Sequence, residues 1–257
     1  MDKGTIAGIA LAAAVIVVGL LVEGGKVSQI MQPTAAMIVF GGTIGAVMVQ
    51  FPVGQFVAAT RALASIFVEP PQHPEALISE LVDYAKTARK RGIVALDAEL
   101  DHIDDPFLKR SLMLAVDGTA PSDLRAMMEL ELENQSEADE KIPQVFEAAG
   151  GFAPTVGIIG AVLGLIQVMQ HLQNIDEVGR GIAVAFVATI YGVGAANLFF
   201  LPAAGKLRIR LRESQRLREM TLEGIISVLE GMNPRLLEMR LVGFIHSRDR
   251  ASKRKSA

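Results

Sequence analysis

"FAPTVGIIGAVLGLIQVM", residues 152–169, is an 18-residue run without a charge, interrupted by Gly157, Gly160 and Gly164 at helical spacing. Its length approaches the ~20 residues that carry a helix across ~30 Å of hydrocarbon. Glycine is a weak helix former, so its repeated use inside the most apolar stretch needs a reason. On a helix turning about 100° per residue, Ala153, Gly157, Gly160 and Gly164 fall within a sector of about 60°. Lipid gives helices no hydrophobic incentive to associate, so close backbone approach and packing must supply it. A stripe of small side chains permits that approach. A matching stripe, Gly181, Ala185, Ala188 and Gly192, lies in the next apolar stretch, with Ala195 and Ala196 on its flanks. Two arrangements satisfy the pattern: packing within one chain, or packing between copies of it around something central.

Of the 257 residues, 51% are hydrophobic and 21% charged, and the mean hydropathy is +0.37. That mixture indicates membrane spans beside a substantial water-facing part. Charge-free windows mark four spans: Gly4 to Val22; a stretch within Val27 to Thr60 bracketed by Pro33 and Pro52; one within Ala148 to Ile175; and Gly181 to Pro202. A bilayer offers no water to backbone amides, so each span must be helical. The first is long for the apolar part of a signal peptide, and no small-x-small cleavage site follows it. The chain has no cysteine, hence no disulfide framework and no thiolate metal site.

The connections are unequal. "EGGKVSQIMQ", residues 23–32, joins spans one and two, and "QNIDEVGR", residues 173–180, joins spans three and four. Each holds one basic residue, Lys26 or Arg180, of the 25 in the chain. Lys206, Arg208, Arg210 and Arg212 crowd directly after span four. Basic residues collect on the cytoplasmic side, which places the C-terminus, and with an even number of spans the N-terminus, in the cytoplasm. The expected fold class is all-α: a polytopic inner-membrane protein with four transmembrane helices, a helical cytoplasmic insert and a helical cytoplasmic C-terminal region. Residues 4–51 are expected to form a first transmembrane hairpin and 52–150 a cytoplasmic helical domain. Residues 151–202 then form a second hairpin, and 203–257 cytoplasmic helices ending in a basic tail.

Within the insert, "PEALISELVDYAKTARKRG" reads as a helix with Leu77, Leu81, Tyr84, Ala85 and Ala88 on one face and Gly92 as its stop. A second helical pattern covers Asp97 to Val116 and stops at Asp117-Gly118; a third starts at Pro121 and runs towards Glu147. Span four is expected to continue as one long helix to Gly231. Asn233 before Pro234 suits the N-cap and first turn of a last short helix. The basic end, "HSRDRASKRKSA", is expected to be disordered.

The spans are chemically sparse. None contains Asp, Glu, Lys or Arg; their polar residues include Thr34, Thr43, Gln50, Thr155, Thr189, Tyr191 and Asn197. A proton pathway through hydrocarbon needs a titratable carboxylate or histidine, and His171 lies only at the outer end of span three. If protons move here, a partner must bring the acid. Thr189 lies ~12 Å from the outer helix end at ~1.5 Å per residue. Its hydroxyl either bonds its own helix or faces a pathway. Asn197 suits an interhelical hydrogen bond. Pro154 and Pro202 sit near the inner ends of spans three and four, as boundaries or as hinges. No HExxH, P-loop or serine-containing elbow occurs. The chain is therefore not read as an enzyme, and no catalytic residue, metal, cofactor or nucleic acid is expected.

Several stretches together carry a resemblance: "LVEGG" after span one, "IVFGGTIGA" in span two, "GGFAPTVGIIGAVLGLI" in span three, "AVAFVATIYGVGAANLFFLP" in span four, and "LEGIISVLEGMNPRLLE" near the end. Along nearly its whole length the chain resembles the MotA/PomA family of flagellar motor stator subunits, in particular its MotC-like branch, within the MotA/TolQ/ExbB superfamily. The resemblance implies a pentamer around a dimer of single-span MotB-like subunits, which supply an ion-carrying aspartate and a peptidoglycan anchor. It implies bacterial motility and chemotaxis as the setting and the rotor protein FliG as the load. Thr189 matches the family's ion-pathway threonine, and Pro154 and Pro202 match its coupling prolines; Thr155 and Tyr191 join the same set. Sodium-driven relatives carry threonine where this chain has Ala161, which implies protons as the transported ion. The stripes formed by Gly157, Gly160, Gly164, Ala185, Ala188 and Gly192 would face the ring interior. Aligned on Gly92, the rotor-contact pair falls at Arg89 and Asp97, with Lys90, Arg91 and Glu99 beside them. An ExbB/TolQ-like energiser of an outer-membrane process and a non-conducting membrane scaffold are the alternatives. The span count and the C-terminal motif favour the stator.

Overall fold

The computed structural model describes residues 2–68 and 73–255, and every regular element among them is helical. α1 spans Lys3–Val22 and has no buried residue, as expected of a helix that is apolar all round. Asp2 caps it, its carboxylate accepting the Thr5 N–H at 3.0 Å. After a turn at Gly24 (φ +78°) come α2 (Val27–Ile30) and α3 (Pro33–Ala36), the latter with Pro33 at its first turn. A π-helical segment, Met37–Gly41, leads into α4 (Gly42–Gln50). Pro52 ends that span and starts α5 (Val53–Ser65). α6 covers Pro74–Arg91 and ends at Gly92, whose φ of +85° favours glycine.

The pattern that predicts one helix from Asp97 to Val116 forms two elements instead. A 3₁₀ segment, Ile93–His102, precedes an extended, buried Ile103, and α7 (Pro106–Val116) then restarts. Pro106 lacks the N–H that a helix interior would use and suits a first turn, and Asp105 caps the new start by accepting the Phe107 and Leu108 N–H groups at 2.8 and 3.1 Å.

α8 runs unbroken from Pro121 to Gln170, 50 residues, with Pro143 and Pro154 inside it. Pro154 is therefore interior to the helix and does not end it. α9 covers Ile175–Ala195; a π-helical segment, Ala196–Phe200, joins it to α10 (Leu201–Leu229), so Pro202 does not end the helix either. The wider turns lie directly before Pro202, where its missing N–H would otherwise leave a carbonyl unpaired. Gly231 (φ +73°) closes α10's C-terminal turn, and Asn233 caps α11 through the Arg235 N–H at 2.9 Å. α11 is not short: it spans Pro234–Lys255, and most of the tail expected to be disordered belongs to it. Ser256 and Ala257 lie outside the described residues.

The chain forms two compact units: Met1–Pro70 with Asp139–Ile209, and Pro71–Ala138 with Arg210–Ala257. The first carries the apolar spans. Ala59 of α5 and Ile66 directly after it pack with Val145, Phe146 and Ala149 of α8 and with Ala203, Ala204 and Leu207 of α10. Those contacts draw α5 and residues 139–150 into this unit, whereas composition alone assigned 52–150 to one cytoplasmic domain. The second unit has its own core, centred on Leu81, Leu96, Leu112, Leu124, Met128, Ile225 and Leu237. The expected face of α6 is apolar inward: Leu81, Tyr84 and Ala85 are buried, with Leu77 and Ala88 packed at its edge.

At the N-terminus, Lys206 pairs with the Asp2 carboxylate and donates to the Thr5 hydroxyl, while the Asp2 N–H donates to the Phe67 carbonyl at 2.9 Å. The Lys206 hydrogen bond, then the Thr5 N–H, hold the Asp2 carboxyl well below the usual carboxylate range. A depressed carboxylate contributes stability above its ordinary value of 3.8 and loses it as pH falls through its folded value. Asp2→Asn and Lys206→Met should each lower the thermal midpoint in detergent, and the double variant should fall no further than the worse single one. The penalty of Asp2→Asn should shrink as the buffer is acidified below that range.

Candidate functional site

The two small-residue stripes meet each other inside one chain. A methyl added at Gly157 would lie 2.9 Å from the Ala188 carbonyl oxygen, and one at Gly164 2.8 Å from that of Gly181. From the other side, a methyl at Gly192 would lie 2.5 Å from the Ala153 carbonyl oxygen, and one at Gly181 2.9 Å from that of Gly164. Gly160 abuts Ala188 and Ile38. Ala153, Ala185 and Ala188 are buried. The stripes therefore do not face a ring interior: Gly157, Gly160, Gly164, Ala185, Ala188 and Gly192 form the seam between α8 and α9. What those helices leave uncovered is larger and more apolar: Ile158, Ile159, Val162, Leu165 and Ile166 on α8, and Phe186, Ile190 and Val193 on α9.

Few polar atoms occur on these surfaces, and each bonds its own helix. The Thr155 hydroxyl donates to the Phe152 carbonyl at 2.8 Å and that of Thr189 to Ala185 at 3.2 Å. Asn197 donates to Val193 at 2.9 Å, an intrahelical bond where an interhelical one was expected. Internal bonding removes the cost of burying these donors in hydrocarbon. It leaves each hydroxyl oxygen with acceptor capacity. Thr155 is exposed; Thr189, Ala161 and Pro154 are half-buried; Pro202 is exposed. The two proline-bearing turns are neighbours: Gly150, one turn before Pro154, lies so close to Leu201 that an added methyl would sit 2.6 Å from its Cδ2.

Tyr191 has a different place from the one its span suggests. Its phenol donates to the Ile30 carbonyl at 2.5 Å and accepts the Gln32 N–H at 3.3 Å, and its ring packs 6.1 Å from that of Phe40. It straps α9 to the turn before α3 and is engaged there. Sequence reasoning missed this strap, because nothing local to Tyr191 points to a partner so far along the chain.

In the second unit, Arg89, Lys90 and Arg91 are exposed on the last turn of α6, where cations complement the helix dipole. Asp97 and Glu99 are exposed on the 3₁₀ segment that follows Gly92. Among the described residues none of these five side chains forms an ion pair within 4 Å, so both signs of charge are free to meet another surface. Tyr84 anchors α6 beneath them by donating to Glu80; burial, then that carboxylate, push its phenol above the ordinary range. The unit is also held by Glu223, nearly buried, which Arg125 meets at 2.9 Å and Arg240 from the other side. The residues around Glu223 were legible only as part of a motif.

Four apolar helical stretches long enough to cross a membrane, two of them packed backbone to backbone along segments without a carboxylate, define a polytopic membrane protein of sparse internal chemistry. Residues 6–92 match the family described as "Motility protein A N-terminal", and residues 99–220 match the "MotA/TolQ/ExbB proton channel family". Motility protein A of Bacillus subtilis is 37% identical over 97% of this chain and 93% of its own length. The chemotaxis protein PomA of Vibrio alginolyticus is 31% identical over 98% of each. The structure of the flagellar MotAB stator complex from Bacillus subtilis contains a chain that superposes with a TM-score of 0.89 at 36% identity, covering 98% of this chain and 99% of that one. The chain belongs to the motility protein A family.

The seam makes a direct prediction. Gly192→Ala and Gly157→Ala force backbone apart and should each cost about 1–3 kcal/mol, the range of core overpacking. Gly194→Ala, which meets nothing within 4 Å, should be neutral or stabilising. Thermal unfolding of the detergent-solubilised protein distinguishes the two classes.

Proposed function

We propose that this chain is a stator subunit of a flagellar motor. With a single-span MotB-like partner it conducts protons across the bacterial inner membrane and turns their flow into torque on the rotor protein FliG. One observation carries the mechanism: between Phe152 and Met169 of α8 and between Gly181 and Ala195 of α9 the exposed faces are apolar and hold no carboxylate, yet these segments present Thr155 and Thr189, whose hydroxyl oxygens keep acceptor capacity. Such a surface suits a helix that brings its own acid. The partner's aspartate takes a proton, becomes neutral, and can then face hydrocarbon; ionised, it needs the threonine oxygens and water. Several copies of the chain, five by family resemblance, surround two partner helices and step around them as this cycle repeats. Each charge crossing ~100 mV releases about 2.3 kcal/mol, so useful torque takes many coupled crossings.

Ala161 offers no oxygen to a metal ion, which favours protons over sodium. Pro154 and Pro202, on adjoining turns, transmit the change of state along α8 and α10. Arg89, Lys90 and Arg91 together with Asp97 and Glu99 engage the rotor, since charge pairs attract at range and exchange quickly in water. The full-length likeness to motility proteins favours this reading over an ExbB/TolQ-like energiser. The role is that of a motor component, not an enzyme. Lys206, Arg208, Arg210 and Arg212 after span four support cytoplasmic termini.

Cells carrying this chain and its partner should swim in sodium-free medium and stop on adding a protonophore. Thr189→Val should abolish torque while leaving the subunit in the membrane; swimming that persists with sodium alone would refute proton drive. Because the chain has no cysteine, single replacements also test orientation. Gln173→Cys should react with an impermeant maleimide in intact cells, and Ser214→Cys only after lysis.

A further inference from the structure

A cleft of about 660 Å³ opens where α8 ends and α9 begins. Gln167, Gln170, His171, Glu177 and Arg180 supply its polar lining, and Ile38, Leu163, Gly164, Gly181 and Val184 its apolar lining, with Thr34 beside them. The close approach of Gly164 to Gly181 leaves no side chain from either to fill it. Leu163 lies eight residues before His171, so the cleft reaches about 12 Å along α8 at ~1.5 Å per residue. Of its lining, Leu163 stands two residues from Ala161 and Val184 five from Thr189, the positions proposed above for the ion pathway.

His171 is held in a defined state within this lining. Its Nδ1 is 3.0 Å from the Gln167 carbonyl oxygen, an acceptor only, so Nδ1 must carry the hydrogen. Nε2 is then the atom free to take a proton. It lies 3.4 Å from the Glu177 carboxylate, which would accept a hydrogen bond from a protonated Nε2. Both side chains are partly exposed and thus in contact with water. The other charged group lining the cleft is Arg180, permanently cationic and also on α9; α8 adds only the amides of Gln167 and Gln170, and the first hairpin adds no charged group there. Glu177 and Arg180 cancel in fixed charge, so the cleft does not work by concentrating metal cations.

We propose that His171, positioned by Gln167 and Glu177, is the proton-collecting group on the outer face. It takes a proton from a hydronium ion or buffer acid onto Nε2 and passes it to water in the cleft. The neutral imidazole is then restored, with its Nδ1–H still bonded to Gln167. This rests on the stator reading and adds a named external acceptor to it.

The test uses cells expressing the chain with its single-span partner, and measures proton influx and swimming speed against external pH and buffer. His171→Gln keeps a polar side chain but cannot exchange a proton. It should reduce influx severalfold at neutral and alkaline external pH, with normal subunit levels in the membrane, and external imidazole should restore it. Glu177→Gln, which keeps the positioning side chain's size and its hydrogen-bonding capacity, should reduce influx less than His171→Gln does. Unchanged influx and pH profile in His171→Gln would overturn the relay, as would a loss that imidazole does not restore in a normally assembled variant. If the wild-type pair itself passes no protons, the stator reading fails instead.

Discussion

Backbone-to-backbone contact between α8 and α9 is the constraint on which the membrane unit depends. Hydrocarbon gives two apolar helices no reason to associate beyond packing, and packing is strongest where main chains touch. Gly157, Gly164, Gly181 and Gly192 let each helix press against the other's carbonyls, a distance no side chain would allow. The glycines lower intrinsic helicity, but in lipid an unwound segment would expose unsatisfied amides, so the helices hold regardless. With the small residues consumed inside the chain, the outward surfaces of both helices are bulky and apolar.

Much of this was legible in the sequence. Absence of charge marked the spans, Pro33 and Pro52 marked the ends of the second, and Asn233-Pro234 marked a helix start. The small stripes were legible too, but not their destination: periodicity tells which residues share a face, and says nothing of what that face meets. Pro154 and Pro202, expected as span boundaries or as hinges, are both interior to continuous helix. A helix that already needs internal hydrogen bonds for its length tolerates the loss of one, and at Pro202 the preceding π-helical turns absorb it. The 3₁₀ segment before α7 was missed because its apolar spacing imitates an α-helix, while Pro106 and Asp105 hold the decisive information.

The candidate site was half legible. Thr155, Thr189 and the exposed charges near Gly92 could be placed because their elements were placed. Tyr191 could not: a tyrosine in a span advertises a hydroxyl, and only the tertiary structure reveals that the Ile30–Gln32 turn occupies it. His171 looked like an interfacial residue until its neighbours across the loop came into view. The membrane unit thus separates two tasks. Its interior is held by groups that satisfy one another, and its outward faces keep only unsaturated acceptors.

The Asp2–Lys206 clamp also sets an order of events during synthesis. Its partners are 204 residues apart in the chain. Translation at ~5–20 residues per second delivers the lysine some 10–40 s after the aspartate. Through that interval α1 is held by its own hairpin and by the Asp2 N–H bond to the Phe67 carbonyl, both available far earlier in synthesis. Closure of the ion pair therefore adds a second fastening to the first-made helix, one that becomes possible only once the last span has been synthesised.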